Sequence, residues 1–415
     1  MIVIVIVIDS ESEPNTTTNT MRTPETIWSK TFMLLCAAQL LGYAQHFMLA
    51  PVLPLYLTKL GGSPFVVGVV LACFAITSVA VRPVVGHWAD RRSESHVMIS
   101  GLLFQAISIF FCFIPFIPAT ALANGLRGIG WAGLNTGGYS LLARIAPESK
   151  RGAASGLYSG VQSSAQVLFP PIALWLLTAS FGGYHAVFAV TALFSVAGAI
   201  TGALMSCSVA RPAQNPSADE VTHWWREIFH FVEPEILLPS LLLLGLNVSL
   251  PAITNFIILY ARELGIGNFA VYFVVIGATS MLGRPLLGRL SDKIGRARSV
   301  AAGFSFQVIA LLLITVMSNL PGVIFCGVIY MLGNAIGSSS TLALAVERAD
   351  PKRRGKQMAT FSVAYPLSYG VGSLITGAAI DIAGYVGMFL LLAAVQAIGL
   401  AFALANGRKL APAEK

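Results

Sequence analysis

Twelve apolar stretches, each long enough to cross a bilayer as a helix, dominate this sequence. They run at approximately 31–57, 65–85, 97–118, 120–144, 153–179, 185–207, 236–260, 268–290, 299–318, 321–346, 358–381 and 385–406. A helix needs about 20 apolar residues to traverse roughly 30 Å of hydrocarbon. Lipid offers backbone N–H and C=O groups no partners, so a crossing segment must satisfy them as helix or in a closed barrel. The period-two alternation of a barrel strand is absent. Composition agrees: only 11% of the 415 residues are charged and the mean hydropathy is +0.76, against about 25% charged residues in soluble domains. The expected fold is therefore an all-α membrane protein of twelve transmembrane helices. The boundary between the third and fourth rests on Pro115, Pro118 and Thr120.

The formal net charge of +8 raises nucleic-acid binding, and the distribution of charge argues against it. Only Lys59 and Arg262 fall in loops on one side, and only Arg127 falls inside a block. Every other Lys and Arg of the 26 lies on the side that holds both termini. That is the positive-inside pattern, which predicts an inner-membrane protein with an even number of spans and cytoplasmic termini. Lipids are thus the expected surroundings, and nucleic acid is not an expected partner. The five cysteines, Cys36, Cys73, Cys112, Cys207 and Cys326, sit within apolar blocks without metal-ligand spacing. They read as small buried hydrophobes, with no metal site.

Residues 1–27 form an expected disordered cytoplasmic tail. Its opening MIVIVIVI is too short for a span and lacks a basic leader, so a translation start at Met21 is the competing reading. Residues 28–207 and 236–407 are the expected six-helix bundles, joined by a cytoplasmic linker at 208–235 and followed by a tail at 408–415. Within the linker, Trp224, Ile228 and Phe231 share a helical face. That face suits either a helix lying in the headgroups or an early start of the seventh span.

The halves repeat one another. Residues 82–92 read RPVVGHWADRR and residues 284–294 read RPLLGRLSDKI, 202 positions apart. Arg151-Gly152 and Tyr158-Ser159 find counterparts in Arg354-Gly355 and Phe361-Ser362, 203 positions apart. Two matches at nearly one offset, each in a corresponding loop, indicate duplication. Parallel six-helix repeats place a substrate site between them near the midplane.

These loops resemble the signature of the major facilitator superfamily, in particular its twelve-span drug or metabolite:proton antiporter branch. The second copy carries Gly288, Asp292, Lys293, Gly295, Arg296 and Arg298; the first carries Gly86, Asp90 and Arg91, with Ser93, Glu94 and Ser95 in place of the later positions. The resemblance implies two pseudo-symmetric halves and a gate at these residues. A helix N-terminus bears about half a positive charge, so Asp90 can hold a neighbouring helix end in one state and release it in the other. The competing reading is that these charges only fix topology.

Few ionisable groups lie inside spans, and each is a functional candidate because of its cost there. Arg127, in RGIGWAG (127–133), resembles the family's fourth-helix motif, which in relatives is tied to proton transfer. A guanidinium stays charged, so Arg127 is expected to tune a neighbour or bind an anionic group. His46 changes charge near neutral pH and, by the family's helix arrangement, faces Arg127. No Asp or Glu lies mid-span in the first, fourth, seventh or tenth blocks. The fifth-span stretch 160–171 keeps Pro170 of the family's antiporter motif but replaces its glycines with Ala165, Phe169 and Pro171. The uncharged polar candidates for the cavity are Gln39, Gln45, Asn135, Gln162, Gln166, Asn247, Asn255, Tyr330, Asn334, Tyr365 and Tyr369.

No phosphate-binding loop or nucleophile motif occurs, so neither catalysis nor a cofactor is expected. The expected function is secondary active transport of a small molecule by alternating access, as a monomer, with protons as the coupling ion and efflux as the direction. The alternatives are an uptake symporter of the same fold and a non-transporting membrane sensor or assembly protein.

Overall fold

The structure, a computed structural model, describes residues 27–91, 93–147, 150–179, 182–206, 234–350 and 354–407. The side chains at positions 90, 91, 206, 292, 354–356 and 359 lie outside that description. So do the terminal tails, the expected interfacial helix of the linker, and Cys207.

The described chain is helical, without strands. It forms α1 (Lys30–Lys59), α2 (Pro64–Ala80), α3 (Arg82–Arg91), α4 (Glu94–Cys112), α5 (Ile117–Ile145), α6 (Arg151–Thr178) and α7 (Tyr184–Ser206) in the first half. The second half holds α8 (Pro234–Asn247), a π-turn at Ala252–Phe256, α9 (Ile257–Glu263), α10 (Ala270–Ile294), α11 (Arg296–Leu313), α12 (Leu320–Arg348) and α13 (Arg354–Ala405). Helix starts follow local chemistry: Ser29, Ser63 and Asn319 each accept a backbone N–H of the first turn. The break between α4 and α5 falls at the predicted Pro115–Pro118 turn.

Eight of these segments are long and apolar enough to cross a membrane, or nine if α2 and α3, bent by 42° at Val81, count as one. α5 and α6 have the length, 29 and 28 residues, but less apolarity, because α5 carries glycines that pack on α2 and α4 and α6 carries glutamines that face inward. The 52-residue α13 is divided at Gly384, whose φ of 69° is left-handed backbone that glycine adopts without a Cβ clash. Counting α2–α3 and α8–α9 as single rods and α13 as two gives the twelve rods of the sequence reading.

Contacts at the rod ends sort the helices by direction. Arg144 meets Glu94, Arg296 meets Glu347 and Gln357 donates to Glu235 on the face where the chain enters α1, here the near face. On the far face Tyr184 donates to the Leu55 carbonyl and Tyr260 packs on Tyr385.

Within lipid, helix association relies on close packing of small residues rather than on expulsion of water. α4 and α5 meet at Gly101 and Gly130, where a Cβ on either would lie 2.6 or 2.5 Å from the other's carbonyl oxygen. The second half repeats the contact between α11 and α12 at Gly303 and Gly333, at 2.9 and 2.7 Å. The duplication read from the loops thus extends to glycine contacts deep in each bundle. Between the halves, α2 packs on the first part of α13 and α6 packs on α10, while α1 meets the π-turn. These contacts exchange with one another under the internal repeat, so the interface itself is pseudo-symmetric.

A cavity between the halves and its repeated gate

The two halves enclose a cavity of about 860 Å³, within the range of pockets that hold drug-sized ligands. Its wall draws Tyr43, His46 and Phe47 from α1, Phe74 from α2, Trp131 and Tyr139 from α5, and Gln162 and Gln166 from α6. The other half supplies Asn247, Thr254, Asn255, Phe273, Arg284, Asn334, Tyr365 and Tyr369. The wall continues toward the near face through Ser159, Leu342, Met358 and Ser362.

Toward the far face the cavity is shut. Leu55, Leu57, Val67 and Leu71 of the first half join Ile253, Phe256, Ile257 and Ile380 of the second in one buried cluster. A polar clasp lies outside it: Ser63 Oγ donates to Asp381 Oδ2 at 2.7 Å and the Phe65 N–H donates to the same oxygen at 3.1 Å. A carboxylate on the first turn of a neighbouring helix is favoured by both the free N–H groups and the helix dipole. This is the device expected of Asp90 on the opposite face.

Of the sequence-derived cavity candidates, Gln39, Gln45, Asn135 and Tyr330 do not reach a cavity wall, whereas the others do. His46, Gln162, Gln166, Asn247, Asn334 and Tyr365 line the large cavity, and Arg127 lines a small void of about 10 Å³ at its floor. His46 is half-buried and stacks on Trp131, ring centroids 4.3 Å apart, with Phe74 at 5.1 Å. Arg127 is buried, donates to Asn124 Oδ1 and approaches His46 Nδ1 at 3.5 Å. A guanidinium only donates, so Nδ1 accepts and the proton of the neutral ring sits on Nε2. Asn124 is fixed in turn by donating to the Val70 carbonyl at 2.6 Å. Asn334 donates to Asn247 Oδ1 at 3.1 Å, so this amide pair belongs to one half.

Other polar candidates serve structure. Gln45 donates to the Gln105 carbonyl, Tyr330 shares a hydrogen bond with Ser249, and Asn135 accepts from Tyr43. Two features escape the sequence reading. Arg284 belongs to the repeat, yet its side chain is exposed into the cavity, without a hydrogen bond or ion pair among the described residues. Its counterpart Arg82 instead bridges the halves, donating to Ser362 O at 2.8 Å and Oγ at 2.7 Å. The second feature is the π-turn, which brings Thr254 and Asn255 to the wall; π-turns frequently mark functional positions in helices. Pro251 before it and the polar pair within it were the available signal.

At the motif loops, Gly295 has φ 89°, a conformation that calls for glycine. Its counterpart Ser93 sits at φ 175°, ordinary extended backbone, so the first copy needs no glycine there. The next position shows a charge exchange. Arg296 meets Glu347 at 2.8 Å in the second half, whereas Glu94 meets Arg144 at 3.3 Å in the first. The repeat keeps the ion pair between its third and fourth rods and swaps the signs, which explains why Glu94 stands where the pattern has a basic residue. Gly86 and Gly288 face open space, with nothing within 4 Å of an added Cβ. Lys293 lies in the last turn of α10, while Asp90, Arg91 and Asp292 have side chains outside the described residues.

Comparison with known proteins matches the architecture. The chain is 30% identical over 178 residues to Multidrug resistance protein 1 of Bacillus subtilis (42% of this chain, 43% of that protein). It is 27% identical over 298 residues to the multi-drug resistance efflux pump PmrA of Streptococcus pneumoniae, covering 69% and 73% of the two chains. The matched region thus spans under half of the first relative and nearly three quarters of the second. Among solved structures, a bacterial homolog of the human lysosomal transporter Spinster, inward-facing and unoccupied, superposes with a TM-score of 0.75 at 14% identity. That superposition covers 94% of this chain and 98% of the other. The Major Facilitator Superfamily profile matches residues 35–320 and again 272–414, together most of the chain, and this multi-pass membrane protein therefore belongs to that superfamily.

Proposed function

We propose that this transporter exports a small amphipathic solute across the cytoplasmic membrane by alternating access, in exchange for protons. The carrying observation is the cavity itself. It lies between two pseudo-symmetric halves, extends toward the near face and is bounded on the far face by contacts that join the halves without covalent constraint. The positive-inside distribution supports placing the near face in the cytoplasm, and on that reading the cavity is inward-facing.

Turnover then requires the near-face side to close and the far-face clasp to open. Gly86 and Gly288, where nothing lies within 4 Å of an added Cβ, take part in that closure together with Asp90 and Asp292. Export is favoured because the two named relatives are multidrug proteins. Among the residues lining the cavity, His46 is the side chain whose ordinary titration range lies near neutral pH. It stands where a proton and a solute can compete. On protonation the ring loses its acceptor at Nδ1, so the Arg127 contact breaks, while Trp131 and Phe74 offer the cation their ring faces.

The test is purified protein in proteoliposomes with a pH-sensitive dye inside, challenged with pooled drugs and metabolites under an imposed proton gradient. Solute-dependent proton movement opposite to solute flux is the expected result. Co-directional movement would establish uptake symport instead, and saturable counterflow without a proton response would remove the coupling claim.

A further inference from the structure

We infer that the solute carried in this cavity is an organic anion, whose carboxylate is held by Arg127 at the floor of the cavity. The inference rests on the reading that the cavity is the transport site. Arg127 is 4% exposed, and a buried cation in a span must be compensated. Its described partners, Asn124 and the His46 ring, are neutral acceptors, and the Phe74 ring lies 5.5 Å from the guanidinium carbon. Its Nε has no hydrogen-bond partner among the described residues. No Asp or Glu lines either the cavity or the void beside Arg127, among the described residues.

The void has the volume of about one water molecule, the scale that a single carboxylate oxygen requires, and Asn124, Asn255 and Tyr369 share it. A guanidinium offers carboxylates a planar, charge-assisted fork. Nearer the cavity mouth, Arg284 adds a second exposed cation without an ion pair among the described residues. An incoming anion therefore meets positive charge at the entrance and again at the floor, between aromatic walls that receive its apolar part. A cationic solute would find aromatic faces but also the repulsion of both arginines, with no carboxylate among the described lining residues to offset it.

The probes are 2-naphthoate and 2-naphthylmethylamine, a matched aromatic anion and cation. Binding to the full-length protein in nanodiscs is measured calorimetrically, and counterflow in proteoliposomes. The expected result is saturable binding of naphthoate, at least about tenfold tighter than the amine, as one charge-assisted hydrogen bond accounts for. R127Q should abolish that preference and R127K should retain part of it, so loss of folding in the first is separated from loss of charge. Equal or tighter binding of the amine, or unchanged naphthoate affinity in a folded R127Q, would overturn the inference. Chloride displacing naphthoate competitively in wild type but not in R127K would assign the site to a counter-ion and overturn it too. Counterflow of the amine without that of naphthoate would leave the transport reading standing and remove this one alone.

Discussion

Single residues set the chemistry of the cavity. His46 and Arg127 come from different rods, yet their side chains approach to 3.5 Å beside Trp131. If His46 carries the coupled proton, His46→Gln should abolish flux driven by a pH gradient while solute binding, read calorimetrically, stays within about threefold, since Gln retains polar contact at less than 1 kcal/mol difference. Flux with wild-type pH dependence would return His46 to a structural role. The exchanged ion pairs make a second residue-scale prediction. Glu94→Arg alone places two arginines together and should lower folded yield, while Glu94→Arg with Arg144→Glu should restore it. The pair is partly exposed, so the stake is about 1 kcal/mol or less, readable as a shift in thermal midpoint. Failure of the double variant to recover would show that the sign of the pair is fixed by other contacts.

At the scale of elements, glycine spacing decides which helices touch. Gly101 on α4 and Gly130 on α5 approach so closely that a side chain at either must enter the other's backbone. Gly101→Leu should therefore push the two helices apart at a cost of about 1–3 kcal/mol or more, seen as a lowered melting temperature in detergent and reduced membrane yield. Gly288→Ala, placed where nothing lies within 4 Å, should fold normally; in proteoliposomes its turnover should fall if the near face closes on that glycine. Wild-type stability for Gly101→Leu would contradict the packing described here. The same scale explains the departures of the first motif copy. Ser93 adopts ordinary extended backbone, so the glycine requirement of Gly295 does not extend to it.

For the whole molecule, the relation of the halves is the functional variable. The far-face clasp joins α2 to α13 through Ser63 and Asp381. Cysteines at both positions should cross-link under oxidation and stop turnover, with activity restored by reductant, because opening that face requires the pair to separate. Undiminished transport in a fully cross-linked protein would rule out movement of the halves at this clasp. Cysteine at Ser362, on the near-face side of the cavity, should react with a membrane-impermeant thiol reagent only from the face that carries the termini.

Much of this was legible without coordinates. Lipid compels helix in each long apolar block, so the rods follow from hydropathy, and duplication follows from RPVVGHWADRR and RPLLGRLSDKI. The cost of charge in hydrocarbon singles out Arg127 and His46 in the same way. Tertiary structure alone decided how equivalent residues diverged: Arg82 ties the halves together at Ser362, while Arg284 is left exposed in the cavity. It also decided that Glu94 finds Arg144 and that Asp381 meets the first turn of α2. The physical reason is that hydropathy and repeat patterns are properties of each segment on its own. Which of two like residues is paired, and which face of the bundle is closed, depends on how two nearly symmetric halves lean against one another, and no single segment encodes that angle.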